Sequence, residues 1–249
     1  MLDDISQKEF GLSDVIKNGW LVFCQQFKTI AVLILITSLP ISIINYAVPE
    51  YISKLNYVES SIIIVELFLS IIGELGIIFL VANALKKESV QMRWGEAINK
   101  ALTRFGSCAI TSLLAGLIIL GFCLLFVIPA IIPIVNYSFI MQVVALRGLR
   151  TKSALKYSKS LVKGRWWKIF WINLVLFLMI MVISLLLGYL SSVLPKFLKI
   201  AIDVVDNIVE GGFTVAITIL FLNLEYIDVK DKKDENEVEL LYQGATRNE

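Results

Sequence analysis

The sequence predicts an all-α, polytopic membrane bundle of six transmembrane helices, with three interfacial amphipathic helices in a threefold repeat. Three observations carry that expectation. Of 249 residues, 57% are hydrophobic and only 18% charged, against roughly 45–50% apolar usage in soluble domains. Apolar segments recur at the length that crosses a hydrocarbon core about 30 Å thick, roughly 20 residues at 1.5 Å each. Finally, lysine and arginine collect in alternate connecting segments, the asymmetry that orients membrane proteins.

The spans follow in order. Residues 29–48 and 169–190 are charge-free runs, the second preceded by the interfacial anchors Trp166, Trp167 and Lys168. Between Arg104 and Arg147 there is no charge over roughly 42 residues, ~63 Å as helix, so this run must cross twice. Pro129 and Pro133 lack the amide hydrogen a helix interior needs, which places the turn at Val127–Pro133 and the two spans at 105–128 and 130–146. The remaining spans are 61–85, carrying Glu66 and Glu74, and 204–224, carrying Asp206 and Glu210. Pro40 is expected to kink the first span.

With both termini inside, every lysine and arginine except Lys54, Lys196 and Lys199 lies on the cytoplasmic side. Met1-Leu2-Asp3-Asp4 opens no signal-peptide pattern, so the first apolar segment is expected to stay in the protein. The expected location is therefore a bacterial cytoplasmic membrane, multi-pass.

Before the first, third and fifth spans lies a stretch of helical rather than uniform apolarity. Leu12, Val15, Ile16, Trp20, Phe23 and Phe27 share one face, as do Trp94, Ala97, Ile98, Ala101, Leu102 and Phe105. In the third copy Lys152, Lys156, Lys159 and Lys163 form a polar stripe with Ala154 and Leu161 behind it. Such a helix fits the inner-leaflet surface, with the lysines on anionic headgroups; a solvated helix packed on the bundle is the plainer alternative. Residues 1–226 thus read as one membrane domain, and the acidic tail 227–249 as disordered.

Histidine is absent, which removes the usual general base and the commonest metal ligand. Cys24, Cys108 and Cys123 have no metal spacing and read as small core hydrophobes. No glycine-rich phosphate loop is present, so ATP-driven work would need a partner ATPase or other membrane subunit. No catalysis, cofactor, metal or nucleic-acid partner is expected. Glu66, Glu74, Asp206 and Glu210 have no Lys or Arg within a span to pair with, and are expected to line a functional cavity. Glu66 and Glu74, eight residues apart, are expected to share a face with Ser70 between them, and Asp203 has Lys199 as an ordinary partner.

The run Gly121–Pro133 (GFCLLFVIPAIIP), then Ser138, Phe139 and Met141, then Ser153–Lys168 (SALKYSKSLVKGRWWK) resembles the YciC-like inner-membrane proteins. These are related to the membrane domain of glycerophosphodiester phosphodiesterases. The group's A-L-x-x-S-x-x-L-x-x-G-x-x-W pattern falls on Ala154, Leu155, Ser158, Leu161, Gly164 and Trp167. The chain departs from the group at Ala130, where a glycine is usual, and near Gln142, where a proline often sits. The resemblance implies membrane placement and fold; it carries over no catalysis, since the phosphodiesterases rely on histidines and a soluble barrel. The expected function is a non-catalytic inner-membrane protein that organises or senses lipid or envelope components. The alternative is a transport component, either a small permease or the membrane subunit of an ATP-driven exporter.

Overall fold

In hydrocarbon the backbone can satisfy its own hydrogen bonds only as helix or closed barrel, and this chain takes the first solution. A computed structural model describes residues 8–47, 56–86, 91–125 and 127–245, and among them there is no strand. The helices are α1 (Leu12–Ala47), α2 (Asn56–Ala84), α3 (Trp94–Leu125), α4 (Val127–Asn136), α5 (Ile140–Gln142, continued by a π-helical turn Val143–Arg147), α6 (Thr151–Val162), α7 (Trp166–Val193) and α8 (Lys196–Ala245). Among the described residues six stretches are long and apolar enough to cross a membrane: Leu12–Asn45, Val58–Ala84, Trp94–Leu124, Pro129–Arg147, Trp166–Val193 and Leu198–Val229. The expected spans fall on these six.

Inside the bundle α8 packs on α1 and α2, α1 on α2, and α2 on α3, while α7 rests against α8 and α4 at the periphery. Outside it, apolar side chains such as Ile64, Leu113, Leu117, Leu185 and Leu186 are exposed. A bilayer covers that surface at no cost, because lipid tails are as apolar as leucine. With no hydrophobic force between spans, close packing must hold them, and glycines permit it. A Cβ at Gly76 would stand 2.5 Å from Leu33 Cδ1, one at Gly211 2.8 Å from Ile34 Cδ1, and one at Gly73 3.0 Å from Thr37 Oγ1. These contacts bring α1, α2 and α8 together at mid-span.

Several expectations need correction. Only the third amphipathic segment is a helix of its own: the first two run unbroken into their spans within α1 and α3. No proline interrupts them at the junction, whereas α6 is cut off from α7 by Gly164 at φ +84°, a conformation that favours glycine. The stretch Val127–Pro133, expected as the hairpin turn, is helical: α3 ends at Leu125 and α4 runs from Val127 with Pro133 inside it. Pro40, where a kink is expected, lies inside α1, and the Thr37 and Ser38 hydroxyls donate to carbonyls one turn back. α8 continues past residue 226 as helix to Ala245, with no glycine or proline between Gly212 and Gly244 to stop it. Cys108 is buried as expected, but Cys24 and Cys123 are exposed. Lys54 and Lys87 lie outside the described residues.

The fourth span is broken, which its apolar sequence does not announce. After Asn136 the chain turns through Tyr137–Phe139 before helix resumes at Ile140. Ser158 of α6, fully buried, closes the gap: its hydroxyl donates to the Asn136 carbonyl (2.8 Å) and accepts from the Phe139 amide (3.3 Å). The serine of the A-L-x-x-S pattern thus serves a backbone group on each side of the break. Ser158→Ala would orphan both, and we expect it to cost about 1–2 kcal/mol. Thermal unfolding of the purified protein in mild detergent checks this, with the exposed Ser160→Ala expected to be neutral.

Candidate functional site

Three of the four expected cavity acids meet. Glu66 from α2 and Asp206 and Glu210 from α8 line one cavity of about 560 Å³, with Asp203 beside them and Thr37, Ser38, Ser42 and Asn45 of α1 opposite. It sits at the end of the bundle formed by the C-terminal part of α1 and the N-terminal parts of α2 and α8. Among the described residues no lysine or arginine lines it. Asp206 accepts a hydrogen bond from Ser184 of α7 at 2.6 Å. Glu66 and Glu210 make no hydrogen bond or ion pair through their carboxylates among the described residues, and Asp203 forms no ion pair with Lys199. The cavity is an open acidic vestibule rather than a closed pocket, since Glu66, Asp203 and Glu210 are exposed.

Glu74 does not join them. It lines a second cavity of about 600 Å³ on the other side of α2, with Gln142, Asn173 and mostly apolar walls. Residues eight apart on a helix are rotated by about 80°, so the face shared by Glu66 and Ser70 has turned away at Glu74. Below Ser70 the space is taken by Thr37 and Leu33, seated on Gly73 and Gly76.

The lysine stripe lies as expected. Lys152, Lys156, Lys159 and Lys163 are all exposed and form no ion pair among the described residues, while Ala154, Leu155, Ser158, Leu161 and Val162 bury the opposite face of α6. Trp167, just beyond, is 68% exposed.

Beside α6 lies a polar cluster that sequence reasoning missed. Glu225 on α8, 4% exposed, is held by Arg147 through Nε (2.5 Å) and Nη2, and accepts a third bond from the Tyr157 hydroxyl (2.6 Å). The forked guanidinium matches a carboxylate in this way, and lysine could not. Arg165 bonds Asp228 (2.5 Å) and pairs with Glu9 (3.2 Å), which also takes Lys168 (3.3 Å). Asn223 accepts from the Phe10 amide and donates to the Lys8 carbonyl. The N-terminal segment, α6 and α8 are thereby tied at one end of the bundle, opposite the vestibule.

A family model described as Domain of unknown function (DUF7847) matches residues 30–227. The chain belongs to this family. No curated protein and no solved structure matches it. The DUF7847 match includes the vestibule acids, the broken fourth span, the lysine helix and Glu225, and begins inside α1. Within this DUF7847 domain Arg147 and Glu225 carry a signal in the sequence only as charges at the ends of apolar runs; that they pair is not visible there, since 78 residues separate them.

Two measurements follow from this geometry, the first taken together with the orientation expected from the basic residues. In a background lacking the three cysteines, cysteine at positions 66 and 203 should react with a membrane-impermeant thiol reagent added to intact cells. Cysteine at position 74 should not, and equal labelling of position 74 would contradict the separation of the cavities. At the opposite end, burial raises the Tyr157 hydroxyl to about 12, with its bond to Glu225 adding to the effect. The folded state thus favours the protonated tyrosine. Its contribution is full below the unbonded value of 10.0 and is lost as pH rises through about 12. Tyr157→Phe should therefore lower stability at neutral pH and flatten its decline over that interval, read by thermal unfolding at stepped pH.

Proposed function

We propose that this DUF7847 protein is a non-catalytic component of a bacterial cytoplasmic membrane that organises anionic lipid at the inner leaflet through α6. The observation that carries the reading is the lysine face: four exposed ammonium groups without ion pairs among the described residues, on a helix whose opposite face is buried. Each such charge near an acidic leaflet contributes about 1 kcal/mol. Exposed Trp167 at the start of α7 suits the same interface. The lysine-rich end also holds Lys8, Arg147, Arg165 and Lys168, in keeping with a cytoplasmic placement of both termini. The resemblance of residues 121–226 to the YciC-like proteins supports the same placement, and the absence of histidine supports a non-catalytic role.

The transport reading is favoured by a separate observation. A discontinuous span beside a cavity is how many transporters build a midplane site, and here the broken fourth span borders the cavity that holds Glu74. No phosphate-binding loop is present in the chain, so energy for such a role would come from a partner or an ion gradient.

The lipid reading is tested with the full chain in nanodiscs. Replacing part of a phosphatidylcholine bilayer by phosphatidylglycerol should raise the unfolding temperature. The gain should shrink in about 1 M salt, where the Debye length is about 3 Å, and largely vanish when all four lysines become glutamine. An equal gain in the quadruple variant would remove the reading. Orientation is checked separately: cysteine replacing Lys199 should label from outside intact cells and cysteine replacing Lys156 should not.

A further inference from the structure

The cavity around Glu74 has a composition that its packing role does not explain. It lies among α2, α4, α5, α7 and α8, and its walls are apolar: Ile131, Val135, Leu174, Phe213 and Ile217. Into it come Glu74, Gln142 and Asn173. Gln142 is 2% exposed, and among the described residues its Oε1 has no hydrogen-bond partner; Asn173 Oδ1 is likewise buried and unpartnered. Glu74 makes no hydrogen bond or ion pair among the described residues. Leaving buried acceptors unmade costs about 1–3 kcal/mol each, more for a charged group. A core selected for packing alone would carry leucine at these positions.

The backbone points the same way. Irregular chain at membrane depth is tolerated where it is buried in protein or borders a cavity. The break at Tyr137–Phe139 falls between Val135 and Gln142, both on this cavity, with Ser138 of the break itself in the wall. Gln142 therefore stands in the first turn after the break. The mouth is formed by Ile134 of α4 and Phe177 of α7, which are 49% and 57% exposed on the outer surface of the bundle. The cavity thus opens sideways toward lipid.

From this geometry we propose that the cavity binds the primary ammonium group of an amphiphilic amine, taken in from the bilayer between α4 and α7. The three polar groups offer acceptors, and among the described residues no lysine or arginine lines the space. A primary ammonium carries three N–H donors and no acceptor, so one such group can satisfy Glu74, Gln142 and Asn173 together while its charge offsets the carboxylate. A phospholipid headgroup fits poorly, because its phosphate would meet no cation. A fatty acid would set its carboxylate against Glu74. The volume of about 600 Å³ is an ordinary size for one small ligand, and the apolar walls take its tail. The proposal is independent of whether the α6 lysines engage headgroups.

The test uses the full chain in phosphatidylcholine nanodiscs, titrated calorimetrically with decylamine, decanol or decanoate, with empty discs as the partition control. Decylamine should show saturable binding at one site per chain, decanol should bind at least tenfold more weakly, and decanoate should show no saturable site. Glu74→Gln should weaken decylamine at least tenfold and leave decanol unchanged. Ile134→Trp, placed on the lipid-facing mouth where it does not threaten folding, should abolish the decylamine site. Glu66→Gln and the four-lysine variant should bind decylamine as the natural chain does. Equal affinity for amine and alcohol, an unaffected Ile134→Trp variant, loss on Glu66→Gln instead of Glu74→Gln, or no saturable site at all would each overturn the proposal.

Discussion

A backbone amide or carbonyl inside hydrocarbon has no water to turn to, and much of this molecule is arranged around the place where regular helix fails that demand. The fourth span stops at Asn136 and restarts at Ile140, and Ser158 from α6 bonds both sides of the gap. One hydroxyl thereby sets the position of a surface helix against a membrane span. The lysine face of α6 is turned outward because Ser158 and its apolar neighbours must point inward. The same break puts Ser138 and Gln142 on the wall of the cavity around Glu74.

Close packing divides the interior. Gly73, Gly76 and Gly211 let α1, α2 and α8 approach until Leu33, Ile34 and Thr37 occupy the space where side chains would otherwise stand. Carboxylates on one helix are thus separated: Glu66 looks into a hydrophilic vestibule and Glu74 into a lipid-sided cavity. A larger residue at Gly76 would force Leu33 aside and part α1 from α2.

At the other end, ion pairs replace apolar packing. Glu225 is nearly buried and would be costly to hold there alone, but Arg147 and Tyr157 supply three hydrogen bonds. Arg165 and Lys168 meet Glu9 and Asp228 nearby. These pairs join segments from the beginning, middle and end of the chain, so they act as a clasp on the order of the helices.

By itself the sequence determined the helical class, the six spans, the segregation of basic residues and the exposed lysine stripe, because each depends on local length, period or charge. A charge-free run of about 20 residues can satisfy its own backbone in hydrocarbon as helix, without help from a partner segment. Only the tertiary structure decided what lay between helices. The break in the fourth span is hidden in an apolar run, since Tyr137–Phe139 differ little from their surroundings and the bond partner sits in another helix. The parting of Glu74 from Glu66 depends on side chains of α1 that fill one face of α2 and not another. Arg147 and Glu225 were visible as isolated charges at span ends, yet their pairing required the bundle to bring α8 beside the π-helical turn. Spacing along one helix names the faces; the neighbour across the interface determines which face becomes core, cavity or clasp.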